Sequence, residues 1–459
     1  LAACSTFTFD HTLIVGIEYS GVVFLCLFAR MHPNFPFQNA MPKLNFSRHV
    51  TSLFSPQPSN GSTLEQKLNP SFGRSPLRLT PSPYISDKSL TKRWSKLATL
   101  TDQALLLDEM TLEHAELYNK NIEHFIGTVK LPVGIAGPLR VNGLHANDDY
   151  LVPLATTEAA LVASYNRGAQ LITEAGGASA MLLNEGVSRT PVFIFNSLLE
   201  AGQFVAWVVT QYDHFKHIAE STTAHGKLHD INVNLEGNHV YLVFEYHTGD
   251  ASGQNMVTIA TNEVYHFILS QSPIEPKEAF LDGNLSGDKK PNAHTLRHVR
   301  GKKVAAEVKL SKQLVEKYLH TTPEKMMRFG QVTTTGAALS GGIGVNAHYA
   351  NALAALYIAC GQDAACVAES AVGITRMEVS EDGSLYASVT LPNLMVGTVG
   401  GGTGLPTQKA CLEIMKLSGS GKAKALAEVA AALCLAGELS IVGAFCADHF
   451  SRAHQKLAR

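Results

Sequence analysis

The stretch YLVPLATTEAALVASYNRGAQLI, residues 150–172, reads as a strand, a turn and a helix in succession. Its first six residues are an apolar run, and Thr156, Thr157 and Glu158 then open a helix with two hydroxyls available as caps. The remainder carries apolar residues at helical spacing. Upstream, GTVKLPVGIAGPLRVNG (127–143) has the same texture of short apolar runs broken by Gly and Pro. Downstream, PVFIF (191–195) and HVYLVFEY (239–246) read as strands. The Ala/Gly-rich segment from Gly336 to Cys366 and the proline-free tail from Thr407 read as buried helices. Strands and helices alternate without a strict βαβ rhythm, which predicts an α/β or α+β fold with an inserted subdomain.

Toward the N-terminus, DKSLTKRWSKLATLTDQALLLDEM (87–110) has the spacing of an amphipathic helix. Residues 31–85 are rich in Pro, Ser and Asn and read as linker. The apolar run Thr12–Ala29 is interrupted by Glu18 and preceded by Asp10 and His11. A spanning helix needs ~20 apolar residues, and a mid-span carboxylate costs roughly 2.5–3.5 kcal/mol. A signal peptide would begin with basic residues. Residues 1–85 are therefore expected to be a disordered leader or linker, and a membrane anchor at 12–29 is the less favoured alternative.

The chain has 459 residues, of which 45% are hydrophobic and 17% charged. That supplies about two to four domains, or one large elaborated one, with a core and excludes a wholly disordered chain. Thirty-seven basic against 39 acidic side chains leave a net charge of −2, which argues against nucleic-acid binding as the main task. Seven scattered cysteines form no C-x-x-C pair, which excludes a zinc ribbon and a thioredoxin motif. A disulfide framework is not expected, and a reducing, cytoplasmic location is.

Familiar nucleotide motifs are absent. Gly421-Lys422 is followed by Ala423, and Gly400 to Gly404 does not meet G-x-G-x-x-G spacing. Neither H-E-x-x-H nor G-x-S-x-G occurs. Four ionisable groups nevertheless stand in small, glycine-rich surroundings. They are Glu158, Lys289 in GNLSGDKKP, Asp363 on what should be a packed helix, and His454 near the end of an apolar helix. Together they could serve as a general acid–base set. Each also has an ordinary reading: a capping Glu, a solvated Lys, a buried Asp satisfied by backbone, an exposed His.

Several ordered strings settle more than composition does. They are EHFIG (123–127), PVGIAGPL (132–139), PLATTEAALVASYNRG (153–168), GDASGQNM (249–256), GNLSGDKKP (283–291), NAHYANALAALYIACGQDAA (346–365), GTVGGGTGLP (397–406) and AGELS (436–440). From about Glu123 to His454 the chain resembles the catalytic region of the hydroxymethylglutaryl-CoA reductases. The resemblance implies a four-electron reduction of hydroxymethylglutaryl-CoA to mevalonate and CoA, using two NADPH and no metal. It implies Lys289 as the cation at the thioester oxygen and Glu158 as proton donor to the aldehyde. Asp363 would link those two in one network, and His454 would protonate the departing thiolate. Asp250, Asn255, Met256, Gly400, Gly401 and Gly402 would bind the cofactor. Arg189 would hold the substrate carboxylate and Arg167 a CoA phosphate, with Ser164, Asn284, Asp288, Lys290 and Asn351 at further substrate positions. His348 is either part of the site or a satisfied core histidine.

Three features depart from or refine that pattern. Ser252 stands where the family usually has Met, which makes the nicotinamide pocket more polar. Gln331 stands where many relatives have Lys. His225 and Lys227, with no Arg, are the cations available for a 2′-phosphate, and NADPH rather than NADH is expected because the motifs as a whole resemble the NADPH-using branch.

The resemblance also implies an architecture. A leader (1–85) and a helical N-terminal domain (86–122) would precede a large domain (123–189 and 292–459) built around a long central helix. A small ferredoxin-like cofactor-binding domain (190–281) would be inserted, followed by the lysine loop (282–291). Sites shared between subunits imply a homodimer or a dimer of dimers. Two other readings remain: a CoA-thioester reductase that stops at the aldehyde, and a binding protein without turnover.

Overall fold

The computed structural model describes residues 83–98 and 100–448, together with the backbone of three strands, Cys4–Phe9 (β1), Thr12–Tyr19 (β2) and Val22–Phe28 (β3). Contacts divide the chain into two units, Leu1–Arg78 and Leu79–Arg459. In the first, β1, β2 and β3 form an antiparallel meander, with Cys4 opposite Ile17 and Leu13 opposite Phe28. The expectation of a wholly disordered leader is corrected here. The run from Thr12 is rich in Ile, Val, Phe and Tyr, residues that favour a pleated strand. The Pro/Ser-rich stretch that follows lies outside the described residues.

The second unit opens with the helix Asp87–Leu97, whose N-terminus carries a reciprocal Ser86–Ser89 capping box. Leu90 and Trp94 pack with Leu107, Ala115 and Phe125 in a small core of their own. The helix is shorter than expected. Beyond Leu97 the chain makes only short turns, Gln103–Leu105, Glu109–Glu113 and Ala115–Tyr118. Asp102 and Asp108 turn their carboxylates back onto the amides of Ala104 and Thr111. Such local bonds compete with a continuous helix.

Ten further strands follow: Val133–Gly143 (β4), Asn147–Ala155 (β5), Ala178–Arg189 (β6), Val192–Ile194 (β7), Lys227–Glu236 (β8), His239–His247 (β9), Glu278–Phe280 (β10), Gly301–Leu310 (β11), Ile374–Val379 (β12) and Leu385–Leu394 (β13). They join in the order β10-β7-β9-β6-β11-β13-β12, with β4 on β5 and β6, and β8 on β9. Apart from β4 with β6, these strand pairs are antiparallel. The fold is α+β, and the α/β half of the expectation is corrected, because an α/β sheet is built from parallel strands whereas only β4 with β6 is parallel among these pairs. β6 is shared: residues Ser179–Gly186 pair with β11, whereas Val187–Arg189 pair with β9.

At the centre lies the helix Ala423–Cys446, with 20 of its 24 residues buried. It is long and apolar enough to cross a membrane, but it is the core helix of this fold. Its two buried carboxylates act as pins. Glu428 accepts the amides of His145, Ala146 and Leu182, and Glu438 accepts those of Ala347 and His348 and the Thr375 hydroxyl. The helix Leu161–Glu174 crosses it at a close approach made by small residues. A Cβ on Gly168 would strike the Ala436 carbonyl, and one on Gly437 would strike the Tyr165 ring. Gly168→Ala is therefore expected to destabilise the fold by about 1–3 kcal/mol through overpacking, read as a lower denaturation midpoint. The five described cysteines, Cys360, Cys366, Cys411, Cys434 and Cys446, are buried and unpaired.

Candidate active site

The loop after β10 is shaped by residues in left-handed conformation: Asn284 at φ +62°, Gly287 at +71° and Lys289 at +57°. Asp282 accepts the Asn284 amide at 2.6 Å and starts the turn. Lys289 Nζ lies 2.8 Å from Asp363 Oδ2, with both side chains about 40% exposed. That hydrogen bond holds the ammonium above its ordinary pKa against the opposing effect of burial.

Asp363 is not on the packed helix expected for it. The helix Tyr349–Ala359 ends where Gly361 adopts φ +66°, and the Gln362 amide bonds back to the Tyr357 carbonyl. A left-handed glycine is a common helix stop. Asp363 then caps the short turn Ala364–Cys366 through the Ala365 amide.

Glu158 lies in the turn before the helix Leu161–Glu174. Its amide bonds to Thr156 Oγ1. The helix starts only after Ala160, which is left-handed at φ +68°, so the threonines shape the turn rather than cap the helix. Asn351 Nδ2 lies 3.2 Å from each Glu158 oxygen. Asn351 stands in the first turn of the helix Tyr349–Ala359, and Asp363 follows its far end. Eight residues at 1.5 Å each separate Asn351 from Ala359 by about 12 Å. Among the described residues, no hydrogen bond joins Glu158 to Asp363 or Lys289. The expected single network is therefore two clusters within one chain. His454 lies outside the described residues.

Glu158 and Asn351 border a cleft of about 690 Å³ together with Ser164, Arg167, His348 and Phe445. Arg167 donates to the Ser440 carbonyl at 2.6 Å, and Ser164 and Ser440 share a 2.9 Å hydroxyl contact. His348 stacks on Tyr165, with 5.1 Å between ring centroids, and reaches to 3.5 Å from Glu438. It is thus a packed histidine at the edge of the cleft.

A second cavity, of about 520 Å³, is lined by Ser252, Asn255, Met256, Asp363 and the turn Gly400–Thr403. Gly400 and Gly401 have positive φ and open space beside them, which leaves the backbone accessible to a ligand. Gly402 instead packs against the Gly361 carbonyl. Asp250 is not among the lining residues. Its carboxylate accepts the amides of Gly421 and Ala423, at 2.7 and 3.1 Å, where the central helix begins. Negative charge is favoured at a helix N-terminus. Lys227 is paired with Glu220 at 2.9 Å. Gln331 borders a separate small recess beside β12 and accepts from Arg328.

Residues 89–459 match the family described as hydroxymethylglutaryl-coenzyme A reductase. The chain belongs to the hydroxymethylglutaryl-coenzyme A reductase family. It is 42% identical to the 3-hydroxy-3-methylglutaryl-coenzyme A reductase of Methanocaldococcus jannaschii, over 82% of this chain and 96% of that one. Identity with the Pyrococcus horikoshii reductase is 44%, over 76% and 86%. Among solved structures, it is similar to the class II reductase of Streptococcus pneumoniae bound to NADPH in open conformations. That match has a TM-score of 0.58 at 20% identity and covers 79% of this chain and all of that one, a likeness of fold.

Within this reductase-family fold, sequence reasoning missed Arg300 and Glu369, which stand beside the lysine loop. Arg189 is paired with Asp282 and, at 3.4 Å, with Asp288. Arg300 Nη2 lies 2.9 Å from Asp288 Oδ1, in ion contact but out of line for a hydrogen bond. Arg300 Nη1 lies 2.6 Å from both oxygens of Glu369. Arg300 and Glu369 are fully buried, and burial pushes the Glu369 carboxyl up against the opposing pull of Arg300. The available signal was an Arg and a Glu each set among small or apolar neighbours, VRG and VAES. Arg189 thus already faces two aspartates, while its Nε has no hydrogen-bond partner among the described residues. Lys290 directs its amide to the Gly287 carbonyl and leaves its side chain exposed.

Proposed function

We propose that this chain reduces hydroxymethylglutaryl-CoA to mevalonate and free CoA, with two NADPH oxidised and two protons taken up. The observation that carries this reading is the Lys289 ammonium, held on Asp363 at the rim of the glycine-lined cavity. That cavity fits a dinucleotide: Gly400 and Gly401 leave the backbone bare, and Asn255 offers an amide. NADPH bound there would supply the two hydrides. Lys289 would meet the oxyanion formed at the thioester carbon and again at the aldehyde carbon. A preorganised cation is worth more in such a site than in water. As the carbon–sulfur bond breaks, His454 would protonate the CoA thiolate. Glu158 would give its proton to the alkoxide of the second reduction.

The separation of Glu158 from Lys289 supports a shared site. One subunit would bring Lys289, Asp363 and the cofactor cavity, and its partner would bring the Glu158 cleft. A homodimer is then the smallest working unit. Within each subunit we assign residues 190–281 to cofactor binding and 282–291 to the catalytic loop. Each subunit would thus contribute to two sites, one at either end of its helix Tyr349–Ala359.

The test is stoichiometric: NADPH oxidation followed alongside free thiol release. Two NADPH per thiol is the expected result. One per thiol would mean a reductase that stops at the aldehyde, and binding without turnover would overturn the enzymatic reading.

A further inference from the structure

The lysine loop rests on a buried ion pair with a feature that stability alone does not require. Glu369 sits on the short helix Val367–Ser370, and both its oxygens face Arg300 Nη1. The same Oε1 also accepts the backbone amide of Lys289 at 3.3 Å. Arg300 is anchored in turn. Its amide bonds to Asn393 Oδ1 at 3.2 Å, and Asn393 Nδ2 lies 3.4 Å from the Glu369 carbonyl. On the other side of the loop, Asp288 is gripped between Arg300 and Arg189. The backbone of Lys289 is thus clamped from both sides in a left-handed conformation that a residue with a Cβ rarely keeps.

We propose that Glu369, seated on Arg300, is a positioning residue that fixes the backbone of Lys289 and so the place of its ammonium. The inference rests on the reading of Lys289 as the oxyanion-stabilising cation. Removing the acceptor of its amide lets that residue relax toward negative φ, and such a change swings the side chain away from Asp363. A displacement of about 1 Å at a reacting centre can cost as much as 10²-fold in rate.

Glu369→Asp withdraws the carboxylate by one methylene while keeping a negative charge against Arg300. The expected result is a kcat at least about tenfold lower, with KM for hydroxymethylglutaryl-CoA and for NADPH within about twofold and an unchanged melting temperature. A kcat within about twofold of wild type in the folded variant would overturn the inference. So would a joint loss of kcat, KM and melting temperature, which marks a merely structural pair. Should Glu369→Asp fail to fold, the apolar double variant Arg300→Met with Glu369→Leu removes that ion pair as a whole, a change that often preserves stability, and leaves Asp288 to Arg189. It is read by the same criteria. Lys289→Ala separates the two claims. If that variant stays active, the role of Lys289 falls; if it is inactive while Glu369→Asp is normal, only the positioning role falls.

Discussion

Lys289→Ala is expected to lower turnover by about 10²–10³-fold, the usual cost of deleting one preorganised oxyanion partner. Hydride delivery to a thioester carbon places a full negative charge on oxygen, and the Lys289 ammonium is the cation the loop presents beside Asp363. The variant also leaves Asp363 without its 2.8 Å partner, so the local field turns from neutral to anionic where the oxyanion must form. Both effects act on the transition state more than on the bound substrate. CoA affinity, measured by calorimetry, should therefore stay close to wild type while kcat collapses. A variant retaining more than about a tenth of the wild-type rate, an effect of only ~1.4 kcal/mol, would remove Lys289 from the mechanism.

Mixing two dead proteins should restore activity. If each site takes Glu158 from one subunit and Lys289 from the other, a Glu158→Gln subunit paired with a Lys289→Ala subunit makes one site with both changes and one with neither. Random re-association gives half mixed dimers, each with one intact site in two, or about a quarter of wild-type activity. Neither parent alone should exceed a few per cent. The measurement is activity after joint refolding or co-expression. Mixed dimers with no more activity than their parents would place both residues in the same subunit's site. The 12 Å helical spacer between the clusters would then need a large closure to bring them together.

The candidate groups stood out because they sit in short strings of small residues, and the roles proposed for them came with the resemblance those strings carry. Lys289 was placed in a turn by its own neighbours, and β9 was legible from the apolar run Val240–Phe244. What was not legible depends on distance in space. Asp363 was assigned to a helix because its neighbours are apolar, yet Gly361 ends that helix by taking φ +66°. The Arg300–Glu369 pair spans 69 positions, and a buried arginine has the same letter as a solvated one. Asp250 lies in a recognisable string, but its carboxylate serves the amides of Gly421 and Ala423. The apolar run from Thr12 could be weighed for membrane insertion, whereas its pairing as β2 and β3 depends on partners that no local pattern reveals.

The buried cysteines bear on how the chemistry can be watched. Burial holds the thiols of Cys360, Cys366, Cys411, Cys434 and Cys446 above their ordinary pKa. A thiolate-seeking dye added to the folded protein meets none of these five as a ready nucleophile. These five then leave a quiet background to the signal from released CoA. Serine at Cys4 and Cys26 would extend that silence to the remaining two. Unfolding would end it, so one reagent reports turnover in the native protein and loss of the core when it melts.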